Sequence, residues 1–153
     1  MLLRELKKYD LSFLFNVKIP NPVAVTFTEK QIVDSIGIDN IRSSQNIRHF
    51  LNLLNKNLFK NASKRYGKRV SVISVMEFNE THRHHIHMKI ERPDRVDFNS
   101  FEMIARDCWK KTNFGYQEMR FKDNADDGWL SYMLKSRTKT NLADNIDWEN
   151  IHF

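Results

Sequence analysis

Apolar positions along this chain switch between a two-residue and a three-to-four-residue period, and those switches divide it into elements. "PVAVTFTE", residues 22–29, is β-branched and aromatic behind the turn signal "IPNP", and predicts a first strand. Over residues 45–63, Ile47, Phe50, Leu51, Leu54, Leu58 and Phe59 recur every three or four positions, which predicts an amphipathic helix with Arg48, Asn52, Asn55 and Lys56 on its polar side. "KRYGKR" follows, with basic residues where a helix dipole favours them and Gly67 as a stop. "RVSVISVMEFNE" and "HHIHMKIE", joined through the polar link "NETHR", predict an antiparallel hairpin that Pro93 ends. "DFNSFEMIARDCWKKT" predicts a second helix capped by Asp97, with Phe98, Phe101, Ile104, Ala105, Cys108 and Trp109 at helical spacing. "GYQEMRFK" alternates as a short strand, with Met119 and Phe121 on one face and Tyr116, Glu118 and Arg120 on the other. "NADDGWLSYMLKSRTK" predicts a third helix opened by Asp126 and Asp127, whereas the tail "NLADNIDWENIHF" has mixed polarity and yields no element.

The order βαββαβα predicts an α+β fold: an antiparallel sheet of about four to five strands with helices packed on one face, ferredoxin-like or RNA-recognition-like. The other sheet face would then be open for ligand or chemistry. Residues 1–153 read as one domain, with a core over about 22–139 and a C-terminal tail over 140–153.

Composition changes this picture little. An apolar fraction of 41% is that of an ordinary globular chain, and four glycines and three prolines leave no low-complexity linker. The single cysteine, Cys108, lies on the apolar side of the second helix and reads as a core residue in a reducing compartment. No apolar run reaches the ~18 residues of a membrane span, and "MLLRELKKYD" is too charged for a secretory signal, so the expected location is the cytoplasm of a bacterium or host cell. A formal charge of +6 suits a polyanionic partner.

Four of the six histidines crowd into "THRHHIH", and strand parity divides them. His85 and His87 share the open face with Arg83 and Lys89, while His84 shares the core face with Ile86, Met88 and Ile90 and reads as structural. Two imidazoles about 7 Å apart along a strand can converge on one cation. If the hairpin turns around Thr81, Glu77 falls opposite His85 and diagonal to His87, within side-chain reach. Such a nitrogen and oxygen set accepts Mn²⁺, Mg²⁺, Zn²⁺ or Co²⁺, and ligand type alone does not choose among them. A solvated polar face is the competing reading of the same residues.

On the third helix Tyr132 and Lys135 lie three apart on one face, bordered by Trp129, while Leu130, Met133 and Leu134 are placed to pack on the sheet. A tyrosine there can act as a nucleophile if a metal activates its target, with the lysine supplying positive charge. Taken alone, Tyr-x-x-Lys fits an interfacial tyrosine and a solvated lysine better than it fits a catalytic pair.

Together these residues resemble the HUH endonuclease superfamily, and within it the single-tyrosine rolling-circle replication initiators. "HIH", His85 to His87, matches the pair of histidines flanking a bulky apolar residue; Glu77 stands eight residues before the first of them, and Tyr132 to Lys135 match the downstream Tyr-x-x-Lys. "VTFTE" echoes the first-strand "FTxN" motif, with Glu29 in place of the asparagine. The resemblance implies a metal-dependent, site-specific nuclease and strand-transferase acting on single-stranded DNA. It implies Tyr132 as nucleophile assisted by Lys135, a divalent metal, Mn²⁺ or Mg²⁺, on Glu77, His85 and His87, and a covalent 5′-phosphotyrosine. Arg83, Lys89 and Arg120, with Trp129 or Tyr116 for stacking, would bind the strand, which could include a hairpin origin. No Gly-x-x-x-x-Gly-Lys-Ser/Thr loop occurs, so any helicase would be a separate protein. No membrane partner is expected, and a homodimer is compatible with the sequence.

Two other readings share parts of the pattern. An RNA-recognition-type binding module has the same topology, but its stacking aromatics are replaced here by Glu and His. A single-tyrosine transposase or a relaxase would keep the histidine pair. Relaxases usually place the nucleophile before that pair, which leaves only Tyr9, and such transposases tend to carry glutamine where Lys135 stands.

Overall fold

Val23, Val25 and Phe27 alternate with Ala24, Thr26 and Thr28, and this alternation separates the two faces of the central sheet in the computed structural model, which describes residues 12–78, 83–134 and 145–153. Strand β1 (Pro22–Glu29) lies between β5 (His85–Glu91) and β6 (Gly115–Lys122), and β4 (Val72–Glu77) pairs with the outer side of β5, all antiparallel. The first and third of the four long strands are therefore central, the arrangement expected of a ferredoxin-like βαββαβ unit. A small ribbon, β2 (Ile32–Val33) with β3 (Ile36–Gly37), adds a second sheet that two-residue strands are too short to announce in a sequence pattern.

Helix α1 (Asn40–Phe59) starts five residues before its apolar period does, because its beginning is set by Asp39, whose side chain accepts a hydrogen bond from the Arg42 amide. It breaks at Lys60, with φ of 52°, and a short α2 (Asn61–Tyr66) ends at Gly67 in the left-handed conformation. Helix α3 (Phe98–Lys110) carries the predicted Asp97 cap, bonded to the Ser100 amide. Helices α1 and α3 cover one sheet face. There Phe27 stacks on Trp109 at 4.4 Å and meets the edge of Phe50 at 4.9 Å, and the Trp109 indole donates to the Thr28 carbonyl. Cys108 belongs to this core, and burial pushes its thiol up to about 11, which makes it inert.

The opposite face departs from the open surface that the pattern predicts, since part of it is covered. A second apolar cluster joins Ile73 and Val75 of β4 to Leu130 and Met133 of α4 (Asp127–Met133), to Leu14 and Ile19 near the 3₁₀ turn Ser12–Asn16, and to Ile146 of the tail. Asp126 caps α4 through the Trp129 amide, as predicted. The tail, which shows no element in the sequence, runs along the outer edge of β4: Ile146 bridges Val75 and His152 bridges Val72. Its pairing covers an edge that would otherwise present unpaired backbone groups. Among the described residues no helix is long and apolar enough to cross a membrane.

Two buried carboxylates tie these layers together. Glu29, at the end of β1, bonds the His84 ring at 2.5 Å and accepts from the Ser43 hydroxyl of α1 at 2.7 Å, with both Glu29 and His84 buried. Asp147 accepts from Ser44 at 2.8 Å and from Asn150 at 2.6 Å, and burial raises its pKa.

Replacing Glu29 with alanine leaves a buried hydroxyl and a buried imidazole without their acceptor, and should cost about 3–5 kcal/mol. Urea unfolding measures this, and a loss under ~1 kcal/mol would refute the assignment of Glu29 as a buried anchor. For Asp147 the sign runs the other way from a salt-bridged acid. Above its ordinary 3.8 the unfolded chain has released a proton that the native state still holds, so stability falls as pH rises through that window and levels off above the folded value. Asp147→Asn should remove this decline from a series of urea midpoints taken between about pH 4 and pH 7.

Candidate active site

The hairpin register brings the histidine strand and the glutamate together. Glu77 pairs directly with His85 and Val75 with His87, the pairing anticipated for a turn around Thr81, although residues 79–82, with Thr81 and His82, lie outside the described residues. On the other side of β5, Thr28 pairs with His85 and Thr26 with His87, and Arg120 of β6 pairs with Thr26. Two cross-strand rows result: Glu77, His85 and Thr28 in one, and Val75, His87, Thr26 and Arg120 in the next. Side-chain parity puts both rows on the face turned away from α1 and α3.

His87 is the hub. Its Nε2 lies 2.9 Å from Glu77 Oε2, and its Nδ1 lies 3.1 Å from the Thr26 hydroxyl. The Glu77 contact is the diagonal one, across from His85 and one residue pair along. The His85 ring stands 6.4 Å from that of His87 on the same face. His87 is 5% exposed, whereas Glu77 and His85 are half-buried at the wall of the cleft.

Helix α4 delivers the tyrosine to the same point. Leu130 and Met133 anchor it in the second cluster, which turns Trp129 and Tyr132 toward β5. Tyr132 and Trp129 stack at 5.4 Å with their planes 19° apart, and both meet the His87 ring edge-on, at 5.7 and 5.8 Å. The Trp129 indole donates to the Met88 carbonyl at 2.8 Å, and Tyr132 remains 39% exposed at the rim. A cleft of about 1290 Å³ runs from these groups across β1 to β6, where Gln117, Arg120 and Lys122 line it.

Among the described residues no three His, Cys, Asp or Glu side chains converge as a preformed metal cluster. The donor chemistry nonetheless fits a divalent cation. A carboxylate oxygen and an imidazole nitrogen are aimed at one another across 2.9 Å, a second imidazole adjoins them, and Thr26 engages the nitrogen of His87 that faces away from Glu77. Such a partner on the far ring nitrogen fixes the orientation of a ligating histidine.

The remaining predicted residues divide. Arg120 lies in the cleft. Arg83 instead lies over the Tyr116 ring at 4.2 Å, and neither lines the cleft. Lys89 takes the expected face but is only 7% exposed, because the second apolar cluster and the tail cover that end of the sheet; its ammonium does not reach a strand in the cleft. Trp129 has one ring face committed to Tyr132, which limits it as a platform for bases. Lys135 lies outside the described residues. His84 is structural, as its parity required. Thr26 and Lys122 do not stand out in the sequence, although the alternation that puts His87 on the open face also assigns Thr26 to it, opposite Val25 and Phe27.

A family model for the replication-associated protein ORF2 matches residues 22–141. The chain belongs to this replication-associated protein family. The match begins at the first residue of β1 and runs past α4, so it takes in all four long strands together with Glu77, His85, His87, Tyr132 and Lys135. Membership assigns the chain to replication initiation, with DNA as its partner. No curated protein and no solved structure matches the chain significantly.

If Thr26 orients His87 for a metal, Thr26→Val should weaken Mn²⁺ binding about 10–100-fold, the range found for such outer partners. Calorimetric titration with Mn²⁺ reads this directly, and an unchanged affinity would show that the hydroxyl has no part in ligation.

Proposed function

We propose that this replication-associated protein is a site-specific, metal-dependent endonuclease and strand-transferase for single-stranded DNA that initiates rolling-circle replication by the HUH route. The observation that carries the proposal is the meeting of two separate elements at one histidine: Tyr132 of α4 lies 5.7 Å, ring to ring, from His87, whose Nε2 is bonded to Glu77. A nucleophile and a metal-binding set at that separation can address the same phosphate group.

Arg120 and Lys122, at the β6 side of the cleft, attract the phosphate backbone and align the strand over β1. Glu77, His85 and His87 would hold a divalent ion, Mn²⁺ or Mg²⁺, which when bound supplies Lewis-acid polarisation of a non-bridging phosphate oxygen. The Tyr132 phenolic oxygen then forms a bond to phosphorus as the bond from phosphorus to the 3′-oxygen breaks. The phenolic proton leaves to solvent, and the departing 3′-oxygen takes up a proton to become a hydroxyl. Lys135, three residues beyond Tyr132, supplies positive charge to the transition state in this scheme. The product is a 5′-phosphotyrosine with a free 3′-hydroxyl. Attack by a second 3′-hydroxyl reverses the sequence and rejoins DNA without ATP, because one phosphodiester bond is conserved in the covalent link.

The test is incubation of the full chain with labelled single-stranded DNA and Mn²⁺, with and without EDTA, followed by denaturing electrophoresis. An SDS-resistant adduct is expected only with metal, and should be absent in Tyr132→Phe. Alanine at Glu77, His85 or His87 should reduce cleavage at least ~100-fold, on the scale of losing a major transition-state interaction. An adduct that persists in Tyr132→Phe removes Tyr132 from the mechanism. Failure to form an adduct with any replication-origin DNA favours a non-catalytic binding module on the same fold.

A further inference from the structure

The positive charge of this chain is concentrated away from the cleft. Residues 40–76 contain eight of the 25 Lys plus Arg and none of the 19 Asp plus Glu, so this quarter of the chain carries +8 and the remainder −2. Arg42 pairs with Asp39, and Arg48 with Glu149. Among the described residues the other six, Lys56, Lys60, Lys64, Arg65, Lys68 and Arg69, are exposed and belong to no salt bridge with a carboxylate.

The fold gathers these six. Lys56 and Lys60 close α1, Lys64 and Arg65 close α2, and the Lys68 amide returns to the Ala62 carbonyl, which folds the loop back over α2. Lys68 lies 5.2 Å over the Phe59 ring, and Arg69 donates to Asn52 of α1 at 2.8 Å. Arg95 joins them from the loop before α3, 5.8 Å from the same Phe59 ring and bonded to the Leu58 carbonyl. Helix dipoles account for some lysine at these helix ends. They do not account for a segment of 37 residues without a single compensating carboxylate, which repels itself unless an anion covers it.

We propose that the end of α1, α2 and the loop to β4 form a docking surface for the sugar-phosphate backbone of a DNA duplex, distinct from the single-strand cleft. Family membership makes DNA the polyanion at hand. Duplex is favoured over single strand because single-strand sites rely on stacking platforms, and the patch offers one well-exposed ring, Tyr66. A duplex presents about one charge per 1.7 Å and needs only fixed cations, which is what the helix ends and the braced loop supply. The patch adjoins the start of β4 at Val72 and the cleft adjoins its end at Glu77, about 17 Å along the strand. One DNA molecule with a duplex-to-single-strand junction can therefore engage both. The inference goes beyond the nicking reading and does not require it, since binding is measured without cleavage.

The experiment is fluorescence anisotropy of the full chain with a blunt duplex of about twenty base pairs, long enough for two helical turns, and with a short single-stranded oligonucleotide, across a range of salt. Lys64→Ala/Arg65→Ala/Lys68→Ala should weaken duplex binding at least tenfold and reduce the slope of log K against log salt by about 0.9 for each phosphate no longer neutralised. Single-strand binding should stay within about twofold of the parent, as these side chains are remote from the cleft. Unchanged duplex affinity and slope would overturn the proposal. So would an equal loss for both DNAs, or a loss confined to vesicles of anionic lipid. A second variant, Lys56→Glu/Lys60→Glu, should reproduce the duplex defect from the other side of the patch; normal duplex binding there would also count against it.

Discussion

The register between β1 and β5 is the constraint on which the site depends. Because side chains alternate, a slip of one residue would bury His85 and His87 in the core and expose Ile86 and Met88 to the cleft. Glu29 blocks such a slip from both its backbone and its side chain. Its amide donates to the His84 carbonyl at 2.8 Å while its carboxylate holds the His84 ring and the Ser43 hydroxyl. The histidine that faces inward thus anchors the strand whose neighbouring histidines face outward. Glu29 replaces the asparagine of the HUH-like first-strand pattern, and in this fold it holds strand to strand and sheet to helix.

The coverage of the second face follows from what β4 carries there. Ile73 and Val75 are apolar on the side that β5 and β1 give to His87, Lys89, Thr26 and Ala24. That end of the sheet has to be buried, and α4, the N-terminal turn and the tail bury it. The consequence is chemical as well as structural: the same packing that covers Ile73 fixes Leu130 and Met133, and so decides where Tyr132 stands.

Much of this was legible in the sequence because it rests on local periods. The parity of His84, His85 and His87, the spacing of Glu77, the caps Asp97 and Asp126, and the inward side of α4 all follow from a two- or 3.6-residue repeat. What was not legible depends on contacts between distant segments. "SFLFN" and "NIDWENIHF" show no period, yet they close the second cluster and the edge of β4, and their arrival is what buries Lys89. The partner of Glu29 lies 55 residues away, and the partner of Asp147 103 residues away, separations at which pattern carries no information. Thr26 is the intermediate case, since its face was readable but its bond to His87 required the register of a second strand pair.

The bond from the Trp129 indole to the Met88 carbonyl has a mechanical meaning. Met88 is the residue after His87, so the ring that braces the tyrosine is pinned to the strand that carries both histidines. Helix α4 is only seven residues long and would make a poor platform by itself. Through that one bond it moves as cargo of β5, and the spacing between attacking oxygen and metal-binding groups is set inside a single short unit, insulated from motion in the loops at either end.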